Sequence, residues 1–139
     1  MRFSETTVLK IAQLLEKADF FPMEDFTAVD SLIHRDKPIG FYSLKSCNIA
    51  GEALSHDGRN FYVELDCDFE IRLMGKSCDF ADYKQFDEMC AEFYKSAAED
   101  GEMLIRNMKM DNVYQSMPLK RLARNMIMQV RVMVAEELE

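Results

Sequence analysis

The chain has 139 residues, of which 48% are hydrophobic and 30% charged, and its net charge is −8. That is the size of one ordinary domain, and a chain of this length buries roughly two thirds of its unfolded surface on folding. Wholesale disorder and a fibrous repeat are excluded, no apolar run approaches the roughly 18 residues of a membrane span, and the acidic balance argues against a protein that coats nucleic acid.

The first element is a helix over residues 1–18. Ser4 is placed to cap free backbone N–H groups, Glu5 favours the positive end of the helix dipole, and Phe3 and Val8 are spaced for a hydrophobic staple. Val8, Ile11, Ala12 and Leu15 share one face. Residues 19–38 alternate aromatic and acidic residues without a period and read as an irregular connection with room for a short strand, closed by Pro38 and Gly40. A first strand is expected from Phe41 to Ile49, with imperfect alternation. Ser55-His56-Asp57-Gly58 is a turn, because Asp-Gly supplies positive φ.

The strongest signal lies in residues 59–74. Phe61, Val63, Leu65, Cys67, Phe69, Ile71 and Leu73 alternate with Tyr62, Glu64, Asp66, Asp68, Glu70 and Arg72. Strict period two predicts a strand with one dry and one wet face, spanning about 40 Å at about 3.3 Å per residue. A second helix is expected over residues 79–99, capped by Asp79 or Ser77. Tyr83, Phe86, Cys90, Phe93 and Ala97 lie on its apolar face, and it ends at Glu99-Asp100-Gly101. Residues 103–134 read as a hairpin turning at Gln115-Ser116-Met117-Pro118. On its last strand Leu122, Met126, Met128, Val130, Val132 and Val134 share a parity, against Arg121, Asn125, Gln129 and Arg131. The expected architecture is α+β: one domain over 1–139, a two-layer sandwich with an antiparallel sheet and two helices on one face, in the order α-β-β-α-β-β.

Chemistry is sparse. Glu64, Asp66, Asp68 and Glu70 form an acidic ladder, which suggests a divalent cation or a metal-dependent hydrolase. Successive members of such a ladder stand roughly 6.5–7 Å apart, so one ion does not gather them, and a paired or solvated face is expected instead. Cys47, Cys67, Cys78 and Cys90 have no metal-ligand spacing and read as free thiols; His34 and His56 stand in no motif. Nucleophile elbows, phosphate loops and dinucleotide fingerprints are absent from the sequence. The expectation is a non-enzymatic protein without metal or cofactor. With no signal peptide pattern at its start, it is also expected to be soluble and intracellular.

Charge is segregated along the chain. Residues 1–100 carry 11 Lys/Arg against 20 Asp/Glu, whereas residues 101–139 carry 6 against 5. Basic residues of the final hairpin are therefore set to oppose the ladder, within one sheet or between subunits. Met133, whose parity differs from that of Met126 and Met128, is expected at a contact rather than in the core. The candidate interface comprises Glu64, Asp66, Asp68, Glu70, Arg121, Arg124, Arg131 and Met133.

Taken together, the N-terminal helix, the Pro38-Ile39-Gly40 lead into a strand, the long alternating strand Phe61–Leu73, the acidic-capped second helix and the closing hairpin from Ile105 to Val134 are suggestive. This order resembles the small tail-terminator and head–tail joining (neck) proteins of tailed bacteriophages and prophages. The first strand is less regular than that family's. The resemblance implies a structural subunit that forms a ring, caps or joins the tail tube, binds tail-tube or neck proteins, and is a virion component assembled in the bacterial host cytoplasm. It carries over no catalytic residue, nucleic-acid readout or membrane contact. The competing expectation is a small intracellular binding or regulatory domain acting as a monomer or dimer.

Overall fold

The computed structural model describes residues 3–24, 37–54, 58–118 and 120–137. Helix α1 spans Phe3–Lys17 and is followed by strands β1 (Phe21–Glu24), β2 (Ile39–Leu54) and β3 (Asn60–Met74). A 3-10 turn (Phe80–Asp82) leads into α2 (Tyr83–Glu99), and β4 (Met103–Met110), β5 (Tyr114–Ser116) and β6 (Arg121–Glu137) complete the chain.

The expected architecture is corrected in two ways. The order is α-β-β-β-α-β-β-β, and the six-stranded sheet is mixed, because β1 pairs parallel to β2. Spatially the strands run β1-β2-β3-β6-β4, with β5 paired to β6. β1 falls in the connection that left room for a short strand but was not counted in the expected order, β5 was not expected, and both are too short to carry a period. β1 has four residues including Pro22, which lacks an N–H and fits only an edge, and β5 has three. The first long strand also runs beyond Phe41–Ile49 at both ends. Register shifts between Leu44 and Ser46 and between Ile49 and Gly51 insert extra residues into it. Each bulge flips the parity of the residues after it, hence the poor alternation.

At the centre, β3 and β6 pair antiparallel without interruption from Asn60↔Glu137 to Met74↔Ala123. The dry stripe of β3, Val63 to Leu73, is buried throughout, facing Val134, Val132, Val130, Met128 and Met126 on β6. Phe61 is only partly buried. Against this face α1 places Ile11, Leu14, Leu15 and Ala18, and α2 places Phe86, Cys90, Phe93 and Ala97. The helices therefore cover one face of the sheet.

The ends of α1 show how local chemistry sets this packing. The helix begins at Phe3, so Ser4 lies inside its first turn rather than before it; the side chains of the expected cap and of Phe3 in the staple fall outside the described residues. At the other end Asp19 adopts φ 68°, and Phe20 N–H and Asp19 N–H donate to Leu15 O and Glu16 O, both at 3.0 Å. This left-handed exit satisfies the last carbonyls and turns Phe20 into the core. There the Phe20 ring meets Phe86 of α2 edge-on, with centroids 6.4 Å apart. The exit of α1 thus fixes its position against α2. Lys10 adds a tether, pairing with Asp100 and Glu102 just beyond α2 at 3.2 and 3.1 Å. Gly40 of β2 lies directly under α1: a Cβ there would stand 2.6 Å from Leu15 Cδ2, so any larger residue forces the buried Leu15 side chain to shift.

Before α2, Asp79 accepts from Ala81 N–H at 3.0 Å and caps the 3-10 turn, while Ser77 donates to Asp82. Of the expected β2–β3 turn, residues 55–57 fall outside the described residues; Gly58 has φ 73°. Among the described residues, no helix is long and apolar enough to cross a membrane.

Candidate functional site

The second face of the sheet carries the side chains that alternation turns away from the helices. The strand register arranges them in rows across β2, β3, β6 and β4. One row is Asn48, Asp66, Arg131 and Leu104; the next is Ser46, Asp68, Gln129 and Asn107; a third is Ser43, Glu70, Ile127 and Lys109. Glu64 and Met133 pair at the far end, beside Gly51.

Asp66 is the hub. Arg131 donates to it from Nε at 2.9 Å and from a terminal nitrogen at 3.1 Å, a bidentate pair directly across the β3–β6 ladder. Arg106, the extra residue at the bulge in β4, reaches the same carboxylate at 3.1 Å. The hydrogen bond from Arg131, assisted by the charges of both guanidinium groups, holds the Asp66 carboxyl below its ordinary value of 3.8. The other acids have lesser partners: Ser46 donates to Asp68 at 2.8 Å, and Lys45 pairs with Glu70 at 3.4 Å.

This geometry makes a pH prediction. A carboxyl whose folded pKa lies below its unfolded value adds stability that is present above the unfolded pKa and lost as pH falls through the folded one. Asp66→Asn is therefore expected to be less stable than wild type at pH 7, with the gap closing in acid below pH 3.8. Urea midpoints at several pH values check this; a gap independent of pH contradicts the pairing.

The sequence-derived candidates divide between the two faces. Glu64, Asp66, Asp68, Glu70, Arg131 and Met133 share the face opposite the helices. Arg124 does not: it lies opposite Leu73 on the helix-covered side and donates to Asp87 of α2 at 3.1 Å. Its position in β6 has the parity of Met126 and Met128, a signal already present in the sequence. Arg121 has the open-face parity but is only 2% exposed. It donates to Lys37 O at 2.6 Å and Gly75 O at 2.9 Å, so it closes the end of the sheet instead of facing the ladder. At that end Ile39, Phe41, Met74 and Ala123 form a second buried apolar cluster on the nominally wet face.

Two residues of the surface, Leu104 and Ile127, were not expected from the sequence. Leu104 is 62% exposed and Ile127 48%, and together with Met133 at 50% they set apolar patches among the charges. Arg106 and Lys109 add positive charge on β4, so acids dominate β3 while bases lie on β4 and β6. Ile127 breaks the polar parity of β6 and was detectable on that ground; Leu104 required the register, as did the choice of Asp66 as the partner of Arg106, whose opposition to the ladder was expected.

At one end this face borders a cleft of about 800 Å³ whose lining includes Glu64, Leu104, Arg131, Met133 and Thr6 of α1. At the other it forms a shallow groove of about 580 Å³ lined by Lys45, Glu70, Arg72, Asn125 and Ile127. Arg72 donates to Asn125 at 3.0 Å across that groove. Among the described residues, no group of three or more His, Cys, Asp or Glu side chains is arranged to hold a metal ion. His34 and His56 fall outside the described residues.

No family model matches the chain, and no curated protein matches it. Among solved structures, the chain is similar to the type 4 fimbrial biogenesis protein PilO from Pseudomonas aeruginosa, with 11% identity and a TM-score of 0.30 over 96% of this chain and 81% of that one. It is also similar to a chain of the virion of a native gene transfer agent particle, with 14% identity and a TM-score of 0.33 over 94% and 91% of the two chains. At identities and TM-scores this low, neither likeness says what the chain does.

Proposed function

We propose that the chain is a non-enzymatic structural subunit that assembles through the open face of its sheet, as a ring-forming component of a phage-like tail or neck. The observation that carries this reading is the face itself. Three large apolar side chains stay exposed there among charges segregated by strand, acids on β3 and bases on β4 and β6. Such a surface complements a second copy of itself, because the acidic row of Glu64, Asp68 and Glu70 on the central strand β3 of one copy matches Arg106 and Lys109 on the edge strand β4 of the next. A head-to-tail contact closes into a ring when its rotation permits. Leu104 and Met133 supply the apolar anchor, and the flanking charges set the register.

Sedimentation of the wild type across a concentration series, at low and high salt, tests this. The proposal expects association at low salt that weakens at high salt, as the Debye length falls from about 10 Å at 0.1 M to about 3 Å at 1 M. A wild type that remains monomeric at high concentration and low salt removes self-assembly. A tail-tube or neck partner would then have to be the occupant of the face.

A further inference from the structure

Two cysteines the assembly surface does not use stand directly opposite each other near the middle of the β2–β3 hairpin. Cys47 and Cys67 are Cα partners in the antiparallel ladder, with their Sγ atoms 3.5 Å apart. All four cysteines are free thiols. Directly opposed residues in antiparallel strands have Cα atoms about 4.5–5.5 Å apart, inside the range of about 4.4–6.8 Å that a disulfide spans. The sulfurs need to approach by roughly 1.5 Å to reach the bond length of about 2.05 Å, a distance side-chain rotation supplies.

The two thiols differ in access. Cys47 is half-buried, whereas Cys67 is fully buried, with Cys47 Sγ 3.5 Å and the Thr7 hydroxyl 3.9 Å from its sulfur. Burial, reinforced by the neighbouring Cys47, pushes the Cys67 thiol up to about 12, so it does not react first.

We propose that Cys47 and Cys67 are a paired oxidation site, closed by hydrogen peroxide into a cross-strand disulfide that staples β2 to β3. In the first step the Cys47 sulfur attacks one peroxide oxygen, the O–O bond breaks, and water leaves, giving the sulfenic acid of Cys47. In the second, the Cys67 sulfur attacks the Cys47 sulfur as its proton passes to the departing hydroxyl, so the S–S bond forms and a second water leaves. Two electrons pass from the thiol pair to the peroxide, which is reduced to water. The other two cysteines have no such partner: Cys90 lies in α2, where burial pushes its thiol up to about 12, and Cys78 lies in the segment before the 3-10 turn.

The sequence makes the test direct. Trypsin cleaves after Lys45, Arg59 and Arg72, which puts Cys47 and Cys67 on separate peptides, residues 46–59 and 60–72. The folded wild type is treated with peroxide, unreacted thiols are blocked, and the protein is digested without reductant. The expected results are loss of two titratable thiols, a chain that stays single on a non-reducing gel, and a linked 46–59/60–72 peptide that reductant separates. The oxidised protein should also melt at higher temperature, a shift absent from Cys47→Ser. Retention of all four thiols, over-oxidation of Cys47 without linkage, or cross-linking only between chains overturns the proposal.

Discussion

A Leu65→Asp variant is expected to lose the cooperative fold. Leu65 is 0% exposed in the middle of β3, opposite Ile49 on β2 and Val132 on β6, on the face that both helices cover. A carboxylate there has no partner in the dry stripe, and burying it costs on the order of 5 kcal/mol. That is comparable to the whole stability of a modest domain, roughly 5–15 kcal/mol. Circular dichroism through a thermal ramp reads the outcome. A cooperative transition at the wild-type temperature contradicts the assigned register, because a slip of one residue would put position 65 on the open face.

Replacement of Arg121 is the second large effect. Its side chain is buried at the end of the sheet and joins two segments distant in sequence, through the carbonyls of Lys37 and Gly75. Those oxygens are left without that donor in Arg121→Ala, and each unsatisfied buried acceptor costs about 1–3 kcal/mol. A loss of about 2–4 kcal/mol is expected from urea unfolding. Arg121→Lys should recover only part of it, since a single ammonium does not reproduce the planar fork. A variant within about 0.5 kcal/mol of wild type would place Arg121 among ordinary surface positions. The same burial makes Arg121 unsuitable for probing an interface: a charge reversal there disrupts the sheet end before it reports on any partner.

Parity along a strand was legible in the sequence, and tertiary packing was not. Strict alternation over β3 identified its dry and wet faces, because an uninterrupted strand keeps its parity along its length. The helical spacing of Phe86, Cys90, Phe93 and Ala97 likewise matched the buried face of α2, whereas Tyr83, expected with them, is exposed. In β2 two bulges reset the parity, so a single period fitted only part of the strand. β1 and β5 were too short for any period, and the parallel pairing of β1 depends on partners far along the chain. Arg121 and Arg131 share a parity yet differ in surroundings, since an apolar cluster closes one end of the face. Parity gives direction, and only tertiary packing gives burial. The pairing of Asp66 with Arg131 comes from the β3–β6 register, whereas the approach of Arg106 depends on the bulge in β4.

The assembly reading rests on Leu104 and Met133 meeting a partner surface, and it is most directly tested by changing them without touching the core. Both side chains are at least half exposed on the open face, so a Leu104→Asp, Met133→Asp double variant should fold with a melting temperature close to wild type. Sedimentation velocity of the two proteins side by side, at equal high concentration and low salt, then decides. The account predicts a discrete larger species for the wild type and a monomer for the folded double variant. Two monomers, or two identical assemblies, would contradict it.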